Sequence, residues 1–283
     1  MVAALHIITD TACDLPVKFL REKGISVVPM TINFPDHSYR DGIDITPGEF
    51  YRLYTSSVKI PSTAQPTPGA VSEVLREVIE RGDEALMITI STGMSGTYES
   101  ACIAREEFAK KDLIAIFDSK SASMGQGLLV MEAFEMAQAG LDLKETVRRL
   151  ERMRDRMYSI FTLQTLEYLQ KGGRVGKMQA VAGDVLNIKV ILEINEEGYI
   201  VQREKARGRR RAIERILEIM EKEGKDLSTQ QIGISHSQSE EEAAAIANEI
   251  KERLGVKRVL FGEITATVGT HVGPGCLAFF FQI

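Results

Sequence analysis

Short apolar runs alternate with amphipathic stretches through the first half of the chain, which predicts strands and helices in turn. ALHIITD reads as a buried strand, LPVKFLREKG as a helix ending at Gly24, and ISVVPMTINF as a second strand. DHSYRDG has the polar, glycine-ended composition of a hairpin or loop. In TPGEFYRLYT, Thr46 is an N-cap, Pro47 suits the first helical position and Glu49 completes a capping box. Another helix starts at Thr67-Pro68, places Val71, Val74, Leu75 and Val78 on one face, and stops at Gly82. EALMITI and LIAIFDS are continuous apolar runs, as interior parallel strands require. Between them Tyr98, Ala101, Cys102 and Phe108 make a helical stripe, and two further helical patterns follow in GLLVMEAFEMAQAG and DLKETVRRLERMRDRM.

From about Tyr158 the pattern changes. YSIFTLQT is followed by a short helix and a glycine-rich corner, QKGGRVGK, and KVILEINEEGYIVQREKA reads as a hairpin. Helix, strand, helix and strand then run on to VLFGEITA, and CLAFFFQI is strand-sized. The reading is an α/β fold. An N-terminal three-layer α/β/α domain with a mainly parallel sheet covers residues 1–160, and a smaller α+β domain with a mixed sheet covers 161–283.

Composition narrows the function classes. The chain has 283 residues, enough for two cores. A formal charge of -5, with 6% aromatics and no Trp, argues against nucleic acid as a partner. The three cysteines (Cys13, Cys102 and Cys276) are far apart and form no CxxC, so neither a zinc site nor a disulfide framework is expected. MVAALHIITD lacks a basic leader and reaches Asp10 early, and no apolar run approaches the roughly 20 residues of a membrane helix. These features give a cytoplasmic expectation, with no metal and no transmembrane segment.

Four stretches can carry chemistry. In STGMSGTYESA a strand hands over to a helix at Ser95, and the first helical amides, those of Gly96 and Thr97, face the carboxyl edge of a parallel sheet. An anion site, a departed GxSxG nucleophile elbow and a plain hydroxyl cap are all compatible with that turn. KIPSTAQPTPG predicts an extended polar loop containing Thr63. TATVGTHVGPG sets His271 among glycines, which makes it the best histidine for a ligand or acid–base role. Asp10, Asp118 and Ser119 end strands near the same edge, without the third oxygen ligand that a metal needs. The basic run REKARGRRR, holding Arg207, Arg209 and Arg210, joins Arg174 and Lys177 as candidate docking elements for an acidic partner or a phosphate. A serine hydrolase built on Ser95, Asp118 and His271 is the alternative, in the Ser…Asp…His order.

The motifs TD with DLP, STAQPT, STGMSGTYESA, DSKSASMGQG, YLQKGGR and GTHVGPG occur in this order over nearly the whole chain. In this it resembles the DegV family, the group containing the fatty-acid-binding subunits of bacterial fatty acid kinase. The resemblance implies one long-chain fatty acid buried between two domains. Its carboxylate would be held by Thr63, Ser95 and His271, with Gly96, Thr97 and Ser119 in support. The family's TSQP stands here as Thr63-Ala64-Gln65-Pro66, so the second hydroxyl is missing. The resemblance further implies no cofactor and no nucleotide site in this chain. A separate ATP-dependent kinase subunit would phosphorylate the bound carboxylate. Hydroxyls and helix-end amides suit a carboxylate clasp, and the apolar helices of the first half suit a tunnel. At about 0.8 kcal/mol per buried CH₂, a C16 tail contributes roughly 11 kcal/mol gross.

Overall fold

The computed structural model describes residues 4–57, 59–175 and 187–283. Lys177, grouped by sequence with Arg174, lies outside them. The first strand, β1 (Leu5–Asp10), leads through a short turn into α1 (Val17–Glu22). ISVVPMTINF then forms two strands rather than one, β2 (Ser26–Val28) and β3 (Thr31–Asn33). Pro29 has no N–H to continue a ladder, so the chain leaves one sheet and enters another. β4 (Ser38–Arg40) completes a hairpin with β3. α2 (Pro47–Ser56) begins with the expected reciprocal box between Thr46 and Glu49. The predicted polar loop is a short strand, β5 (Ser62–Ala64), paired with β3 so that Thr63 faces Ile32 across the ladder.

α3 (Pro68–Glu80) and β6 (Glu84–Thr89) follow as read. α4 (Thr97–Arg105) buries Thr97, Ser100, Ala101 and Ala104, with Tyr98 and Cys102 to one side of that face. The small residues win because α4 packs tightly against α3. β7 (Ile114–Asp118) is an edge strand, not an interior one. Next come α5 (Met124–Gln138) and α6 (Leu143–Arg154). β8 (Met157–Thr162) spans residue 160, where the sequence places a domain boundary, and the whole strand belongs to the second sheet. The chain ends through α7 (Glu167–Lys171), β9 (Ile188–Ile194), β10 (Ile200–Arg207), α8 (Arg209–Glu223), β11 (Gln231–His236), α9 (Glu240–Leu254), β12 (Arg258–Glu263), α10 (Ala266–Val272) and β13 (Leu277–Gln282).

Three sheets result. A parallel sheet has the order β2-β1-β6-β7, a mixed sheet β10-β9-β8-β13-β11-β12, and a small antiparallel sheet β4-β3-β5. β11 and β12 are the parallel pair of the mixed sheet. α5 joins the two large sheets, packing against β1 on one side and β11 on the other. It is buried almost all round over its first two turns, from Met124 to Met131, which a helix sandwiched between sheets requires. A Cβ at Gly125 would overlap Ser121 and Phe280, so this glycine sets how closely β13 approaches α5. The carboxyl ends of β1, β6 and β7 therefore open toward the mixed sheet, and the candidate site lies there.

Candidate functional site

A cavity of about 320 Å³ lies between the parallel sheet's carboxyl edge and the inner face of the mixed sheet. One end is polar, with Thr63, Ser95, Arg174 and His271. The rest is apolar. Met30, Ile90 and Met94 come from the first half, Phe161, Ala278 and Phe280 from the mixed sheet, and Ile264, Val268 and Val272 from α10 and its approach. The predicted tunnel of first-half helices is thus corrected: strands and α10 supply most of the apolar wall. The dry face of a sheet offers a broader apolar surface than helix flanks do.

Thr63 is fixed by its strand pairing, and its Oγ1 lies 2.8 Å from His271 Nε2. His271 stands on α10, not in a glycine loop. That helix is braced from behind, where the Tyr54 hydroxyl donates to Thr270 O and the Tyr51 hydroxyl to Ile264 O, each at 3.1 Å. Burial, followed by the nearby Arg174 guanidinium, lowers the His271 pKa to about 4. The imidazole is therefore neutral at neutral pH, with one donor and one acceptor nitrogen. Its Nδ1 is buried without a hydrogen-bond partner, against Gly172, where any Cβ would overlap the ring.

Ser95 belongs to the turn after β6, where its N–H donates to Ser91 O at 3.1 Å. Its Oγ accepts from Thr97 N at 3.3 Å and lies 2.8 Å from Thr97 Oγ1. Gly96, the N-cap, has no side chain, so Ser95 both caps the helix and lines the cavity.

Arg174, assigned by sequence to docking, is instead part of the cavity wall. It donates to Gly172 O at 2.7 Å and to Met94 O at 3.3 Å, spanning from the corner after α7 to the Ser95 turn. Ser119 is buried and does not line the cavity. Its hydroxyl accepts from Ser121 N at 3.1 Å and donates to Ser121 O at 3.0 Å, shaping the turn after β7. Arg209 is engaged internally, with Glu242 at 2.7 Å and with Gly275 O. Arg207 and Arg210 are exposed.

Sequence reasoning missed Gln65 and Ser123. Gln65 Nε2 donates to Ser100 Oγ at 2.9 Å and its amide fills the space beside Gly96, so β5 is stitched to α4. Ser123 lines the cavity with φ 56, a positive value that nothing in DSKSASMGQG announces. The hydrolase alternative is also corrected. Ser95 bonds Thr97, His271 bonds Thr63, and Asp118 bonds Thr92 and the Lys120 amide, so the three do not form a triad. Among the described residues no group of three or more His, Cys, Asp or Glu is placed to hold a metal ion, and no helix is long and apolar enough to cross a membrane.

The family model described as "Uncharacterised protein, DegV family" matches residues 4–283. A DegV domain-containing protein of Caldanaerobacter subterraneus subsp. tengcongensis is 35% identical over 278 residues, covering 98% of each chain. Two solved structures are similar throughout. A fatty-acid-binding DegV family protein from Thermus thermophilus has a TM-score of 0.89 and 32% identity, over 99% of this chain and all of that one. DegV from Bacillus subtilis, a fatty acid binding protein, has a TM-score of 0.88 and 28% identity, over 99% of both chains. This chain belongs to the DegV family.

Proposed function

We propose that this protein binds one long-chain fatty acid in the cavity and presents its carboxylate to a separate ATP-dependent kinase subunit. The observation that carries this reading is one cavity whose lining joins Thr63, Ser95, Arg174 and His271 to a mainly apolar wall. The carboxylate sits among Thr63, Ser95 and His271, with Gly96 and Thr97 opening the helix that faces it. Arg174 adds a fixed positive charge nearby. Charge-assisted bonds of this kind are worth about 1.5–3 kcal/mol each.

The tail follows the inner face of the mixed sheet, where about 0.8 kcal/mol per buried CH₂ more than offsets a typical association cost of about 4–15 kcal/mol when the clasp is added. The ligand lies between two lobes, one on each large sheet, dividing where β8 begins rather than at residue 160. In the partner reaction a carboxylate oxygen takes the γ-phosphoryl group of ATP and releases ADP, giving an acyl phosphate. Exposed Arg207 and Arg210 are the docking elements that remain after Arg174 and Arg209 are accounted for. The description of two relatives of known structure as fatty-acid-binding supports the lipid half of this reading.

Denaturing mass spectrometry of an organic extract tests it, with one fatty acid per chain expected. A protein that yields no lipid and takes up no added oleate overturns the reading.

A further inference from the structure

Ile194, the last residue of β9, borders two spaces. It lines the cavity of about 320 Å³ and also an outer cleft of about 780 Å³. Among the described residues lining these two spaces, it is the one they share. Strand register locates it. Ala278, Phe161 and Leu192 form one row across the mixed sheet, and Phe280, Ser159 and Ile194 form the row two residues further from Cys276 and the His271 end.

The two spaces differ in chemistry. On the cavity side Ile194 stands with Phe280 and Ile200. The cleft beyond holds Lys120, Arg154, Asp155, Glu196 and Glu197. A hydrocarbon end entering that cleft would meet charged groups and their water, and would gain little from burial.

The turn after Ile194 is also clamped. Gly198 N donates to Asn195 O at 2.8 Å, and the Ser91 hydroxyl donates to Gly198 O at 2.8 Å, tying the hairpin to the loop after β6. A Cβ at Gly93 would lie 2.5 Å from Gly198 O, so the two turns are in close contact.

We propose that Ile194 is the partition that ends the acyl channel and thereby sets the longest tail the protein keeps fully dry. This rests on the fatty-acid reading above. The side chain lines the cavity, the residue also borders a cleft of charged groups, and the turn that follows it is tied to the loop after β6. Truncating the side chain frees room for about three carbons, and each methylene kept dry strengthens binding about fourfold.

The test uses delipidated full-length protein and a homologous series of saturated fatty acids, competed against a fluorescent fatty-acid probe. In the wild type, affinity rises with chain length and then levels off. Ile194→Ala moves the plateau to longer tails, strengthening the longest relative to the shortest by about tenfold or more. Ile194→Phe moves it to shorter tails. Should the alanine variant not fold, Ile194→Val must still move the plateau outward. An identical length profile in all variants that bind overturns the partition. Failure of the wild type to bind any member of the series overturns the proposed function, and the partition with it.

Discussion

At the scale of single residues, the site depends on groups whose partners lie far away in sequence. Thr63 and His271 are 208 positions apart and meet at 2.8 Å. Because the His271 pKa is lowered to about 4, the ring is uncharged at neutral pH. A bound carboxylate beside it favours the proton, so NMR titration is expected to show the imidazole titrating at higher pH with ligand than without. Thr63→Val keeps the shape of the side chain and removes the hydroxyl. Loss of one charge-assisted bond is expected to weaken fatty-acid binding about 10- to 100-fold with the fold intact, read by probe displacement and circular dichroism. Ser95, Thr63 and His271 all line the cavity, and each is legible in sequence as part of a motif with unusual small-residue or proline neighbours. Gln65 lies inside one of the same motifs but carries no local signal, since its value is in reaching Ser100.

Among the elements, α10 is the decisive one, and its first turn rests on two buried carboxylates. Asp41 accepts from Thr267 N at 2.9 Å and from Thr267 Oγ1, while Asp14 accepts from Thr265 N at 2.9 Å. Burial outweighs these bonds, raising Asp41 above the usual carboxylate range and Asp14 to about 7. In the unfolded chain Asp14 ionises near 3.8, so between pH 4 and 7 the folded state holds a proton that the unfolded state has released. Its contribution is present below about pH 4 and is lost as pH rises through 7. Asp14→Asn is therefore expected to gain stability relative to wild type as pH rises across that window. Denaturant midpoints at both ends of the window measure it, and a constant difference would refute it. Helix and strand identities are legible here from periodicity, but the β5 stretch reads as a loop and nothing in TATVGTHVGPG predicts α10. A three-residue strand and a seven-residue helix are too short to show a period, and packing rather than propensity forms them.

Across the whole molecule, two large sheets share one central helix, and the cavity is the space left where they fail to close on each other. Arg207 and Arg210 face solvent on the lobe built on the mixed sheet. If the proposed kinase partner docks here, replacing both with Glu is expected to reduce its acyl-phosphate formation and leave fatty-acid affinity within about twofold, because exposed charges contribute little to the fold. Parallel assays of kinase turnover and probe displacement separate the two effects, and unchanged turnover would remove these arginines from docking.

The sequence by itself determined the alternation of strands and helices, the change of architecture near Tyr158 and the motifs that hold Thr63, Ser95 and His271. These are local signals, written in spacing and capping over a few residues. Tertiary structure alone decided that Arg174 lines the cavity, that Arg209 is consumed by Glu242, and that a sheet face supplies much of the cavity's apolar wall. Each of those outcomes depends on which distant surface arrives opposite the residue, and hydrophobic periodicity carries no record of that partner.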